Sequence, residues 1–294
     1  MGNGFVLPVY RTHPVRVPDT TLVRAIIVVH GAGRNPDYYF EVMVDALYWS
    51  QQWTGTMLIS PHFQTPEDGP AANEASWTSG GWKRGDQSYP KPGTASSVSS
   101  YGAVDEVLRL LGDTLRFPKL ETVVVTGHSA GGQYAHRFAA TSPVEEELDH
   151  LRFRYIVANP STYLFLRPER PLEGGGFGLP DRSACPTYDD WHYGLEDRNP
   201  YALQLTPQGI EERLLGRDVV YMLGTEDLGT SSLDMSCGAM LQGSRRYYRG
   251  LNLFAFLNTY YPQHPHQLFE IPWVAHSSRG IYLSERGIQL LFEW

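Results

Sequence analysis

Apolar positions along this chain gather in short β-branched runs separated by longer amphipathic stretches. The runs are Leu22–Val29, Thr56–Ser60, Leu120–Thr126, Phe153–Ala158, Arg217–Leu223 and Gln267–Ile271. Several stop at chain-turning residues: the first ends at His30-Gly31 and the second at Pro61. Between them lie stretches with helical spacing, Asp37–Ser50, Ser100–Leu115, Gly132–Ala140, Gln208–Leu215, Arg245–Tyr260 and Arg279–Phe292. Runs that are apolar at successive positions predict strands buried on both faces. Strands alternating with helices predict a mostly parallel central sheet with crossover helices on both faces, the α/β class. Leu108, Leu110, Leu111, Leu251, Leu253, Phe254 and Leu257 then belong to helix faces turned to core or interface.

Two segments break this rhythm. Residues 62–99 are rich in Gly, Pro, Ser and Trp, and residues 160–207 carry Gly174-Gly175-Gly176 among many prolines. Loops this long inside one domain are commonly functional. They are read as insertions above the carboxyl edge of a single domain spanning 1–294, the second of them lid-like.

Composition narrows the class. Hydrophobic residues make up 41% of the 294 and charged ones 19%, which excludes a disordered or fibrous chain. A net charge of −8 argues against a non-specific nucleic-acid binder. No apolar run reaches the ~18–20 residues that span a bilayer. The 2 cysteines, Cys185 and Cys237, form neither a CxxC motif nor a four-cysteine zinc site, although they allow one disulfide. Residues 1–20 hold no apolar core of signal-peptide length, so a cytoplasmic protein and a secreted one with its leader removed both stay open.

The chemistry is carried by Gly127-His128-Ser129-Ala130-Gly131. The run Val123-Val124-Val125 enters this G-x-S-x-G segment and a helix-compatible stretch leaves it, which is the strand–turn–helix context of a nucleophile elbow. Such a turn holds its serine in a strained backbone conformation. A side chain at 127 or 131 would collide with the neighbouring strand and helix. Ser129 would then stand at a helix N-terminus, where the backbone dipoles favour developing negative charge.

A serine hydroxyl needs a general base, and the base needs an orienting carboxylate. The elbow predicts the chain order Ser, acid, His. Asp227 follows the strand Arg217–Leu223 and is the expected acid, with Glu226 and Asp234 as alternatives. His276 follows Gln267–Ile271 and is the expected base. The oxyanion donors are expected to be the backbone N–H groups of Ala130 and of Ala32 in Val28-Val29-His30-Gly31-Ala32-Gly33, with Gly33 close behind. His30 is expected to shape that turn, and His128 to pack beneath the elbow. His264-Pro265-His266 lacks a third ligand, so no metal is implied, and no cofactor either. In the insertions, Trp82, Trp191 and Tyr193 are the expected substrate-contacting aromatics, among Trp77, Tyr188 and His192, with Lys83 or Asp86 as candidate partners of a polar substrate group.

These residues resemble the α/β-hydrolase superfamily: VVHGAG at 28–33, GHSAGG at 127–132, GTED at 224–227 and VAHSS at 274–278. A narrower likeness, in GGWKRGD (80–86), NPSTYLFL (159–166), CPTYDDWHYGL (185–195) and SLDMSCGAMLQG (232–243), is to microbial esterases and hydrolases of the polyhydroxyalkanoate-depolymerase type. In that type a cysteine commonly follows the first His-Gly, where this chain has Ala32. The resemblance implies an α/β-hydrolase fold, a lid at about 160–207, and a Cys185–Cys237 disulfide tying the lid to the loop that carries the acid. It also implies a serine hydrolase acting on a small-molecule or polymeric carboxylic ester. The same parts serve an amidase, a peptidase or an acyltransferase, and a non-catalytic binding protein on this fold is a third class.

Overall fold

Strand residues alternate between two cores. The computed structural model describes residues 4–294. In β2 (Arg24–Val29; β1, Val9–Arg11, precedes it), Ala25, Ile27 and Val29 enter one core and Ile26 and Val28 the other. The same split divides Val123 and Val125 from Val124 in β4 (Thr122–His128), which follows β3 (Thr56–Pro61), and Tyr155 and Val157 from Ile156 in β5 (Arg152–Ala158). A two-residue period with both faces apolar can only be buried if helices cover each face. On one face lie α1 (Pro36–Ser50), α8 (Ser278–Tyr282) and α9 (Glu285–Phe292). On the other lie α2 (Ser100–Leu111), α3 (Ala130–Thr141), the short α4 (Val144–Glu147), α5 (Pro207–Leu215) and α7 (Arg246–Tyr260). A four-residue α6 (Cys237–Met240) precedes α7.

With β8 (Val219–Gly224) and β9 (Gln267–Ile271), the central sheet has seven strands in the order β1-β3-β2-β4-β5-β8-β9. All neighbours run parallel except β1, which pairs antiparallel with β3. The predicted strands and the α/β class hold. The β1 edge strand was not expected, because three residues after Pro8 are too short to show a period. The single expected helix 279–292 is two: Ser284 accepts from the Gly287 N–H at 3.0 Å and caps a second helix there. The expected helix 100–115 ends at Leu111, ahead of Gly112.

Strand order sets the place of chemistry. From β2 the chain steps out to β3, then returns to β4 on the opposite side of β2. Loops leaving the carboxyl ends of β2 and β4 therefore diverge there, and an open α/β sheet binds ligands at such a switch point. Residues 30–35 and the Ser129 turn are those loops.

The insertions are held by side chains together with short, isolated backbone bridges. Segment 62–99 contains two 3-10 turns and no strand of the main sheet; Trp77 and Trp82 are buried in it, and the Trp77 indole N–H donates to Val98 O at 3.2 Å. Segment 160–207 has a two-residue hairpin, β6 (Arg170–Pro171) with β7 (Phe177–Gly178), and a buried Arg170–Asp189 ion pair at 2.8 Å. Cys185 of this segment is bonded to Cys237 across a sequence separation of 52. Closing a loop of that length removes on the order of 4 kcal/mol of denatured-state entropy in the chain-entropy model. A Cys185→Ser/Cys237→Ser protein is expected to unfold about 2–4 kcal/mol more easily in urea. An unchanged urea midpoint for that variant would show that the bridge does not stabilise the fold.

Candidate active site

The turn around Ser129 is shaped by close backbone contact. Ser129 has φ 60° and ψ −118°, a conformation costly for any L-residue. Its N–H donates to Ala158 O at 2.9 Å and its carbonyl accepts from Gln133 N at 3.1 Å, so strand and helix lock the turn from both ends. A Cβ at Gly131 would lie 2.1 Å from Val29 O, and one at Gly127 2.3 Å from Gly131 C. Only glycine lets β2, β4 and α3 approach so closely.

Asp227 and His276 meet across the carboxyl ends of β8 and β9. His276 Nδ1 lies 2.7 Å from Asp227 Oδ2, and Asp227 is fully buried. A carboxylate only accepts, so Nδ1 carries the proton and Nε2 is the basic nitrogen. Ser129 and His276 line one cleft of about 460 Å³ together with Gly31, Ala32, Gly33 and His128. A larger, mainly aliphatic groove of about 680 Å³ between residues 4–16 and α2 contains no histidine, serine or cysteine.

The loop after β2 is folded by His30. The Phe63 N–H donates to His30 Nε2 at 3.0 Å, so Nδ1 carries the proton and donates to Gly31 O at 2.9 Å. Complete burial pushes the His30 imidazole down to about 3, and it stays neutral. The Arg34 N–H closes the turn on Gly31 O at 3.1 Å, a bond that leaves the amides of Ala32 and Gly33 unused. Ala130 is the first residue of α3, where helix N–H groups lack intrahelical acceptors.

His128 lies against His276, ring centroids 4.5 Å apart. Burial drives it well below the ordinary imidazole value, and the nearby His276 and Arg246 charges act the same way. Neutral, it contacts Tyr39 Oη at 3.4 Å and Asn159 Nδ2 at 3.5 Å. Asn159 adopts φ 43° and accepts from Gly224 N at 2.8 Å, joining the ends of β5 and β8.

Arg246 was not foreseen. It begins α7, is 1% exposed, and sets Nη1 3.5 Å from Asp227 Oδ1 and 3.4 Å from Gly229 O. Its Nη2 donates to Ser231 O at 2.6 Å. It thus spans the loop that carries Asp227, and a fully buried carboxylate needs such a countercharge. Nothing in Arg245-Arg246 distinguishes this arginine from a surface one. The alternative acids lie elsewhere: Asp234 accepts from Tyr193 Oη at 2.7 Å, and Glu226 makes no contact with His276.

The three aromatics expected to contact substrate are not among the residues lining the cleft. Trp82 is 1% exposed, stacked on Phe63 at 5.6 Å and tilted against His30 at 4.6 Å. The Trp191 indole N–H donates to Arg84 O at 2.9 Å, and Tyr193 is tied to Asp234. A long irregular segment must bury aromatic surface to offset its ordering entropy, and these rings do that. Tyr38 and Tyr39 of α1 line the cleft instead. Among the described residues, no group of three His, Cys, Asp or Glu side chains is placed to hold a metal ion, and no helix is long and apolar enough to cross a membrane.

No family model matches the chain, and no curated protein sequence matches it. Several solved structures are similar over nearly the whole length, two of them with TM-scores above 0.6. Poly(aspartic acid) hydrolase-1 from Sphingomonas sp. KT-1 has a TM-score of 0.66 and 23% identity, covering 98% of this chain and 94% of that one. A poly(3-hydroxybutyrate) depolymerase from Bordetella parapertussis has a TM-score of 0.63 and 20% identity, covering 97% and 85%. The parallel sheet, its switch point, the strained serine turn and these superpositions together give the chain the α/β-hydrolase fold.

Proposed function

We propose that the protein is a serine hydrolase that cleaves carboxylic esters through an acyl-enzyme on Ser129. The observation that supports this most is the hydrogen bond from His276 to the buried Asp227, opening into the cleft that Ser129 also lines. In this reading Ser129 Oγ attacks the ester carbonyl carbon while His276 Nε2 takes its proton. The amides of Ala130 and Ala32 receive the oxyanion. His276 then gives the proton to the leaving alkoxide as the C–O bond breaks. A water, deprotonated by His276 in turn, attacks the acyl-enzyme carbonyl; the acyl–Oγ bond then breaks, His276 returns that proton to Ser129 Oγ, and the acid leaves. Asp227 holds the imidazole tautomer and stabilises the imidazolium, and Arg246 positions Asp227. Segment 160–207, tethered through Cys185–Cys237, serves as the lid.

An amide is the second substrate class, since one similar structure is named for poly(aspartic acid). Matched p-nitrophenyl esters and p-nitroanilides, with a fluorophosphonate probe followed by peptide mass spectrometry, test both readings. Labelling at Ser129 and faster turnover of esters than anilides is expected. Absence of label and of turnover on either series would overturn the hydrolase reading, and preferred anilide turnover would replace the ester by the amide.

A further inference from the structure

Three cations and one imidazole converge where the two insertions meet, with no carboxylate among the described residues in direct ion-pair contact; the nearest anionic charge acting on Lys83 and Arg137 is that of Asp234. Lys83 and Arg84 stand on the 3-10 turn Trp82–Arg84 of the first insertion. His192 stands in the second, and the two are stitched together by Trp191 Nε1 and Asn199 Nδ2, each 2.9 Å from Arg84 O. From beneath comes Arg137 of α3, whose Nε donates to His192 O at 3.0 Å.

Arg137 is 0% exposed, yet its other acceptors, Thr162 Oγ1 at 2.8 Å and Gln133 O at 3.3 Å, are neutral. Among the described residues, no carboxylate lies within ion-pair distance of Lys83, Arg84 or Arg137. His192 is 3% exposed, and neither of its ring nitrogens has a hydrogen-bond partner; Arg84 Nε is likewise buried without one. The nearby carboxylates are otherwise engaged: Asp86 accepts from Asn199 at 2.8 Å, and Asp234 from Tyr193 at 2.7 Å and the Ser236 N–H at 3.0 Å. Three cations against the single Asp234 charge leave a local positive excess, and the orphaned Arg84 and His192 nitrogens are costly; an arriving anion relieves both.

We propose that Lys83, Arg84, Arg137 and His192 form an anion-binding subsite that takes a carboxylate of the substrate; this names the substrate class of the hydrolase reading and rests on it. None of the four lines the cleft itself; the cluster adjoins it through the elements that do. Arg137 and Gln133 lie on the helix that Ser129 heads, and Asp234, whose charge reaches Lys83, lies on the loop that lines the cleft at Ser231 and Ser232. Burial holds the Lys83 ammonium down at about 8 and the Arg137 guanidinium at about 10; the neighbouring Arg84 charge adds to this and the Asp234 charge only partly opposes it.

Two measurements test it. Titration calorimetry of Ser129→Ala protein with glutarate should show binding that weakens at least tenfold on adding Lys83→Met or Arg84→Met, and no binding of neutral glutaramide. In pH-stat kinetics on otherwise native protein, the ratio of kcat/KM for monomethyl glutarate over methyl butyrate should fall at least tenfold in the same two variants. No glutarate binding, or binding unchanged in both variants, overturns the subsite. Binding lost with an unchanged ratio, or inorganic phosphate bound in preference to glutarate, assigns the cluster to a free anion and overturns the substrate role. A native protein that hydrolyses no ester defeats the ester reading alone, because the calorimetry still decides whether the anion site exists.

Discussion

Replacing Ser129 by alanine should lower kcat on the preferred ester by on the order of 10^5-fold or more, the size expected when a serine nucleophile is removed from an otherwise complete site. Two features make this a clean test. The strained φ of 60° is imposed by the backbone bonds to Ala158 and Gln133, and both survive the change. Alanine in that conformation is no more strained than serine, so the thermal midpoint should stay within about 2–4 °C. The oxyanion donors are backbone amides and also survive, so a small residual rate over water is expected. Steady-state kinetics beside a thermal melt decides it: turnover within tenfold of the native enzyme, in a folded variant, would remove Ser129 from the reaction.

Asp227→Asn should cost about 10^4 in kcat at neutral pH. The new amide would present N–H to His276 Nδ1, forcing the proton onto Nε2, the atom that must receive the Ser129 proton. A second effect is independent of catalysis. Arg246 would lose its carboxylate while remaining 1% exposed, and a buried cation without its partner destabilises by about 3 kcal/mol. Adding Arg246→Met should therefore recover part of the stability but none of the turnover. If the double variant is less stable than Asp227→Asn alone, Arg246 is held by the Ser231 and Gly229 carbonyls and not by Asp227.

The legible parts of the site share a property. Ser129 and Asp227 each follow a fully buried strand and His276 follows the short, partly exposed β9, so their distance from the sheet edge can be counted along the chain. The turn at Gly31 was legible for the same reason. The cleft walls were not. Tyr39 and Arg246 sit on helices, where their side chains read as ordinary amphipathic positions. Trp82, Trp191 and Tyr193 read as candidate contacts because aromatic side chains on loops look alike whether they face ligand or hold the loop down.

Periodicity and glycine placement alone determined the two-faced parallel sheet, the strained turn at 127–131 and the positions of Ser129, Asp227 and His276 just past strand ends. These are local consequences of side-chain alternation and of backbone sterics at positions where a Cβ has no room. Tertiary structure decided what depends on residues remote in sequence: that Arg246 backs Asp227, that Cys185 meets Cys237, and that Lys83, Arg84, Arg137 and His192 share one corner with buried nitrogens left unpaired. Burial and charge compensation are properties of a place in space, and no run of neighbouring residues encodes them.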